Sequence, residues 1–140
     1  MNQQTIIEPV IYMILLTGVV WAFMYARRLP FILINKIDPQ SIATPELLNA
    51  KLPEKINNSA NNLKNLFELP VVFYVICAFL LLSQRVDAVF LYSAWAYVGL
   101  RTVHSLIHCT INIVNFRFTA YFLSSLVLWF MVVRFALVAL

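Results

Sequence analysis

Arg101, His104 and His108 stand three and four residues apart, and Asn112 and Asn115 continue the spacing. On an α-helix such steps put side chains on one face. That face would join a permanently charged guanidinium to two imidazoles, a set suited to holding an anion. A second stripe, Asn58, Asn61, Asn62, Asn65 and Glu68, ends just before Pro70, and a third set is Arg117, Tyr121 and Ser124, with Ser125 beside it. His104 and His108 have the spacing of a shared metal site. There is no HExxH pattern, however, and a neighbouring arginine repels a cation, so no metal is expected. Asparagine-rich helix faces also glue helices together, at about 0.6 kcal/mol per interhelical hydrogen bond, so the Asn stripe alone reads as packing.

The elements that must carry these residues are membrane spans. Of 140 residues, 62% are hydrophobic and 11% charged, and the mean hydropathy is +0.83. Soluble domains carry about a quarter charged residues, so this balance points to lipid. The net charge of +4 does not point to nucleic acid, because the basic residues flank apolar runs singly or in pairs. Cys77 and Cys109 fall inside apolar segments and read as small buried hydrophobes. The first apolar run follows a stretch, Met1 to Glu8, without Lys or Arg, and leads into Arg27–Arg28, so it reads as a retained span.

The reading is a single all-α domain over 1–140, an integral membrane four-helix bundle with helices near 6–28, 57–84, 87–113 and 116–139. Pro30, Pro39, Pro45 and Pro53 mark residues 29–56 as the one substantial loop. Uncharged sequence suffices for helices one and four. Segment two, Leu69 to Ser83, and segment three, Ala88 to Leu100, are too short for a span of about 20 residues. They reach across only by taking their polar stripes with them, and such groups must then face the interior or a wet cavity. Arg27, Arg28, Lys36, Lys51 and Lys55 put the first loop in the cytoplasm by the positive-inside rule, with the third loop beside it and both termini opposite. The stripes then converge at the cytoplasmic ends of helices two, three and four. A cation-rich pocket there suits an anionic ligand with a lipophilic partner.

Three motifs, Asn65-Leu-Phe-Glu68-Leu-Pro70, Arg101-Thr-Val-His104-Ser-Leu-Ile-His108 and Arg117-Phe-Thr-Ala-Tyr121, occur in this order over nearly the whole chain. The combination resembles the MAPEG family, the membrane-associated proteins in eicosanoid and glutathione metabolism. The resemblance implies a homotrimer with sites between protomers on the cytoplasmic side. It implies glutathione as co-substrate, its thiolate presented to a lipophilic small molecule within the membrane lipids. Residue by residue, Asn65 and Glu68 match the Asn-x-x-Glu of the second helix, where Glu receives the glutathione amino group. Arg101 matches the helix-three arginine, and His104 and His108 occupy tripeptide-binding positions. Arg117 matches the arginine that stabilises the thiolate, and Tyr121 a tyrosine one turn on. Arg28 is a further carboxylate contact from the end of helix one. The sequence departs from the pattern at Asn58 and Asn61, where glutathione-using members carry arginines, and at Phe118, where some carry a serine.

Two function classes follow. One is a glutathione-dependent transferase or peroxidase acting on a lipophilic electrophile, with Arg117 catalytic. The other is a non-catalytic membrane protein binding a lipid or another anion in the same pocket, a reading the Asn substitutions favour. A transporter ranks last, since four spans are few and no inverted repeat is present.

Overall fold

The computed structural model describes residues 2–139 and is all-helical, without strands among them. The expected domain ends, Met1 and Leu140, lie outside the described residues. A 3₁₀ turn, Gln3–Ile6, leads into α1, Ile7–Ile34. A connecting segment holds a second 3₁₀ turn, Pro39–Ile42, and the short α2, Pro45–Lys51. Then come α3, Glu54–Leu66, α4, Leu69–Leu82, α5, Ala88–Cys109, and α6, Val114–Ala139.

Prolines decide several of these boundaries, though not all as expected. Pro9 lies in the first turn of α1, where its missing N–H has no partner to lose. Pro30 does not end α1, which the sequence stops near residue 28; the helix continues through the apolar run Leu29 to Ile34. The connection between long helices therefore spans 35–53 rather than 29–56, and it is partly helical. Pro45 opens α2 behind Thr44, whose hydroxyl accepts from the Leu47 N–H at 3.3 Å. Pro70 acts more strongly than a kink. It offers no N–H to the Leu66 carbonyl, and the chain leaves the helix at Phe67 and Glu68 before α4 resumes.

Among the described residues three helical stretches are long and apolar enough to cross a membrane: 3–34, 54–82 (α3 with α4) and 114–139. With 22 residues, α5 spans about 33 Å at 1.5 Å per residue. Arg101, His104 and His108 lower its hydropathy and set it apart from the other three. It packs against α1, α3 and α6. The core is a column of apolar side chains at helical spacing, among them Met13 and Val20 of α1, Phe73 and Leu80 of α4, and Leu128 of α6. Phe73 stacks on Tyr97 at 4.6 Å between ring centroids. Large apolar residues face outward instead, including Leu15, Val19 and Trp21 on α1 and Phe122, Trp129 and Phe130 on α6. An apolar exterior of this extent fits a lipid environment.

The turn between α4 and α5 fastens both ends of the chain. Gln3 exchanges two hydrogen bonds with the Val86 backbone, at 2.7 and 3.2 Å. Asp87 caps α5 by accepting from the Phe90 N–H at 2.9 Å, and it receives both Nη atoms of Arg134 from α6, at 2.9 and 2.6 Å. Arg134 also lies over the Phe90 ring, 4.2 Å from its centroid. The Arg134 hydrogen bonds hold the Asp87 carboxyl below its ordinary range. A depressed folded-state pKa means the pair stabilises the fold above the carboxylate's unfolded pKa of about 3.9. That stabilisation fades as pH falls through the lower folded value. Asp87→Asn keeps a good N-cap and removes only the ion pair. Its melting temperature in detergent is expected below wild type at neutral pH, with the two converging as the pH is taken below 4. A constant gap across that range would contradict the assignment.

Candidate functional site

The site forms where α3, α5 and α6 meet, at the end of the molecule that carries the connection 35–53. Arg101 projects from α5 into this junction and has no exposed surface. Its Nη2 donates to the Asn65 carbonyl at 2.8 Å, and its guanidinium lies 5.4 Å from the centroid of the Tyr121 ring. Nε and Nη1 are buried without a hydrogen-bond partner. Among the described residues no carboxylate lies within ion-pair distance of it. Among the described residues the single ion pair is Asp87–Arg134, at the other end of α5. A guanidinium keeps its proton at any accessible pH, so burial leaves a charge that Glu68 offsets only from a distance, with two free donors.

One turn on, His104 is also buried, and its Nδ1 donates to the Arg117 carbonyl at 3.0 Å. A carbonyl only accepts, so Nδ1 carries the proton and a neutral ring keeps an acceptor lone pair at Nε2. That Nε2 is buried and unpartnered, as is Nδ1 of His108. The two imidazoles meet edge to face at 5.5 Å, and His104 lies 5.8 Å from the Tyr121 ring. The junction therefore collects four unpartnered polar atoms from three neighbouring side chains. Buried polar groups are rarely left unpaired, and a cluster of them marks a place built to receive a ligand.

Arg117 is positioned by a chain of amides. Its Nη1 donates to Asn112 Oδ1 at 2.6 Å, and Asn112 Nδ2 donates in turn to Asn58 Oδ1 at 3.2 Å. The spacing in sequence extends helix three through Asn112, but α5 ends at Cys109. Asn112 then adopts a left-handed backbone with φ of 47°. Asparagine tolerates that conformation better than most residues, which lets the chain turn sharply while returning the amide to the site. Asn62 is fully buried, donating to Cys109 Sγ at 3.4 Å and accepting from Ser105 at 3.4 Å. It serves as packing between α3 and α5.

Arg101, His104, His108, Arg117 and Tyr121 thus gather in one place with the Asn65 backbone. Glu68 is exposed in the break between α3 and α4, and Asn61 is exposed on α3. Arg28 stands apart from the cluster within this chain. Its Nη2 donates to Asn49 and to Asn57 at 3.2 and 3.3 Å, on the side of α3 that faces α1. Asn57 escaped the sequence reading, which took the Asn stripe from Asn58 onward. Its only sequence signal is a place among four asparagines within six residues of α3.

A sequence profile of the MAPEG family matches residues 6–137, nearly the whole chain. Comparison with curated proteins and with solved structures finds no match. The extent of the profile match shows that this chain belongs to the MAPEG family, and with its apolar helices it is an integral membrane protein.

The charge at Arg101 makes a stability prediction. An unpaired buried ion destabilises the ligand-free fold, and an apolar side chain of similar length removes that cost. Arg101→Met is expected to raise the unfolding free energy of the ligand-free protein by about 1–4 kcal/mol. A clear loss of stability in a denaturant titration would mean that the guanidinium is satisfied within the fold.

Proposed function

From membership of the MAPEG family, we propose that this protein is a glutathione-dependent transferase or peroxidase of the membrane, acting on a lipophilic electrophile. One observation carries the reading: the fully buried Arg101, whose Nε and Nη1 await an anionic partner beside the ring nitrogens of His104 and His108. Glutathione offers two carboxylates, an ammonium and a thiol. Arg101 suits a carboxylate, the acceptor Nε2 of His104 suits an N–H of the tripeptide with His108 beside it, exposed Glu68 suits the ammonium, and Arg117 suits a thiolate. Asn65 and Tyr121 frame the same pocket, and Arg28 is a further carboxylate contact contributed across a subunit boundary.

The chemistry asked of the protein is modest. A free thiol has a pKa of about 8.5, and a fixed guanidinium favours the thiolate, which is the nucleophile. The bracing of Arg117 by Asn112 supports a charge held in place before substrate arrives. The thiolate sulfur then attacks the electrophilic atom of a substrate dissolved in the bilayer, forming the new bond to sulfur as the leaving group departs with its electron pair.

The wider architecture belongs to the same proposal. We take α5 as a fourth span, its polar residues turned inward, which makes the chain a four-helix transmembrane bundle. We take the assembly as a homotrimer, with the connection 35–53 and the α5–α6 turn in the cytoplasm and both termini opposite. The concentration of Lys and Arg around the first connection supports that orientation.

One feature favours a second reading, a non-catalytic protein that holds a lipid or other anion in this pocket. At two positions where glutathione-using members carry arginines, this chain has Asn58, already bonded to Asn112, and exposed Asn61. These amides supply no charge-assisted contacts. Addition of glutathione to the purified protein separates the readings. Enzyme function predicts a thiolate absorbance that Arg117→Ala abolishes and Arg117→Lys keeps only in part. A flat spectrum in wild type, with an anionic lipid retained in native mass spectrometry, would replace the first reading by the second.

A further inference from the structure

The hydroxyl of Tyr97, near the middle of α5, is enclosed without a hydrogen-bond partner, on a residue with no exposed surface. Tyr97 precedes Arg101 by four residues and so stands on the same face of the helix. At 1.5 Å per residue it lies about 6 Å farther from the end that carries the connection 35–53. Long side chains on a helix lean toward its N-terminus, which carries the Arg101 guanidinium back over the turn that bears Tyr97. Of the titratable groups around Arg101, Tyr97 interacts with its charge most strongly, ahead of Tyr121 and Glu68.

The ring of Tyr97 stacks on Phe73, and a phenylalanine would fill that place equally well. Packing does not explain the hydroxyl, because an unpaired one destabilises the fold that buries it. The polar groups nearby do not satisfy it. Tyr74 of α4 is engaged with Thr17 of α1, and Tyr121 of α6 presents its ring face to Arg101.

We propose that Tyr97 is a ligand-binding residue, its hydroxyl donating to the far side of the anion that Arg101 holds. The free donors then converge on one group: Nε and Nη1 of the guanidinium, and a phenol O–H one turn deeper. A carboxylate accepts only, and it has two oxygens to share between the two residues. The carboxylate of the ligand therefore inserts beneath the imidazoles of His104 and His108, toward the membrane interior. The rest of the ligand extends toward the 35–53 end.

This role rests on the reading that glutathione docks at Arg101, and the experiment keeps the two apart. Tyr97→Phe retains the ring and removes the hydroxyl alone. Loss of an unpartnered buried hydroxyl should raise the melting temperature of the ligand-free protein in detergent. The same substitution should weaken glutathione binding about tenfold by calorimetry, the loss of one hydrogen bond to a charged group. A residue that only supports the fold would not move the two in opposite directions. In protein labelled with ¹³C at tyrosine Cζ, with Tyr97→Phe to assign the signal, glutathione should shift the Tyr97 resonance. Binding as tight in Tyr97→Phe as in wild type, or a Tyr97 signal that bound glutathione leaves in place, would overturn this role and leave the glutathione reading standing. A lower melting temperature for ligand-free Tyr97→Phe would also overturn it, by showing that the hydroxyl is satisfied within the fold. A wild type that binds no glutathione would overturn both.

Discussion

A guanidinium with no exposed surface and no carboxylate partner is the constraint around which this protein is organised. Arg101 cannot neutralise itself by losing a proton, and it has no surface open to bulk solvent. The surrounding structure answers only part of that demand, with one backbone carbonyl from Asn65 and the face of the Tyr121 ring. The rest is left open, beside two imidazoles in the same condition. A fold that holds an unpaired charge in its interior is destabilised unless something negative comes to it. Anion binding then stabilises the folded state directly, since a ligand that binds only the folded form adds to its stability.

The local irregularities of the chain serve that arrangement. The break after α3 exposes Glu68 at the margin of the site. The left-handed turn at Asn112 brings an amide back to brace Arg117 from one side, while Asn58 holds that amide from the other. Away from the site the packing is conventional, with apolar residues at helical spacing in the core and the α4–α5 turn tied to both chain ends. The structure thus separates a well-fastened end from a polar end with unpartnered groups, the usual division between stability and function.

The all-helical class was legible because the apolar runs are long and their interruptions charged, and the polar stripe of α5 because its period is that of a helix. The same reasoning misjudged places where one residue acts against the pattern. Pro30 lies in a run so apolar that α1 continues through it, whereas Pro70 stands two residues after Glu68 and the helix parts. Asn112 keeps the helical spacing yet sits beyond the helix, a difference carried by a backbone angle that spacing does not encode. Arg28 had no periodic relation to the other candidates. Its ties to Asn49 and Asn57 depend on how the connection folds back over α1 and α3, which no local pattern reveals.

The central claim is that the free donors of Arg101 take up an anion, and the Nε–H proton of that residue reports it directly. In protein labelled with ¹⁵N at arginine, with Arg101→Lys to assign the resonance, glutathione should move the Arg101 Nε–H signal downfield and slow its exchange with water. A signal that stays in place and keeps exchanging at the same rate, at concentrations that saturate the protein by calorimetry, would contradict the account.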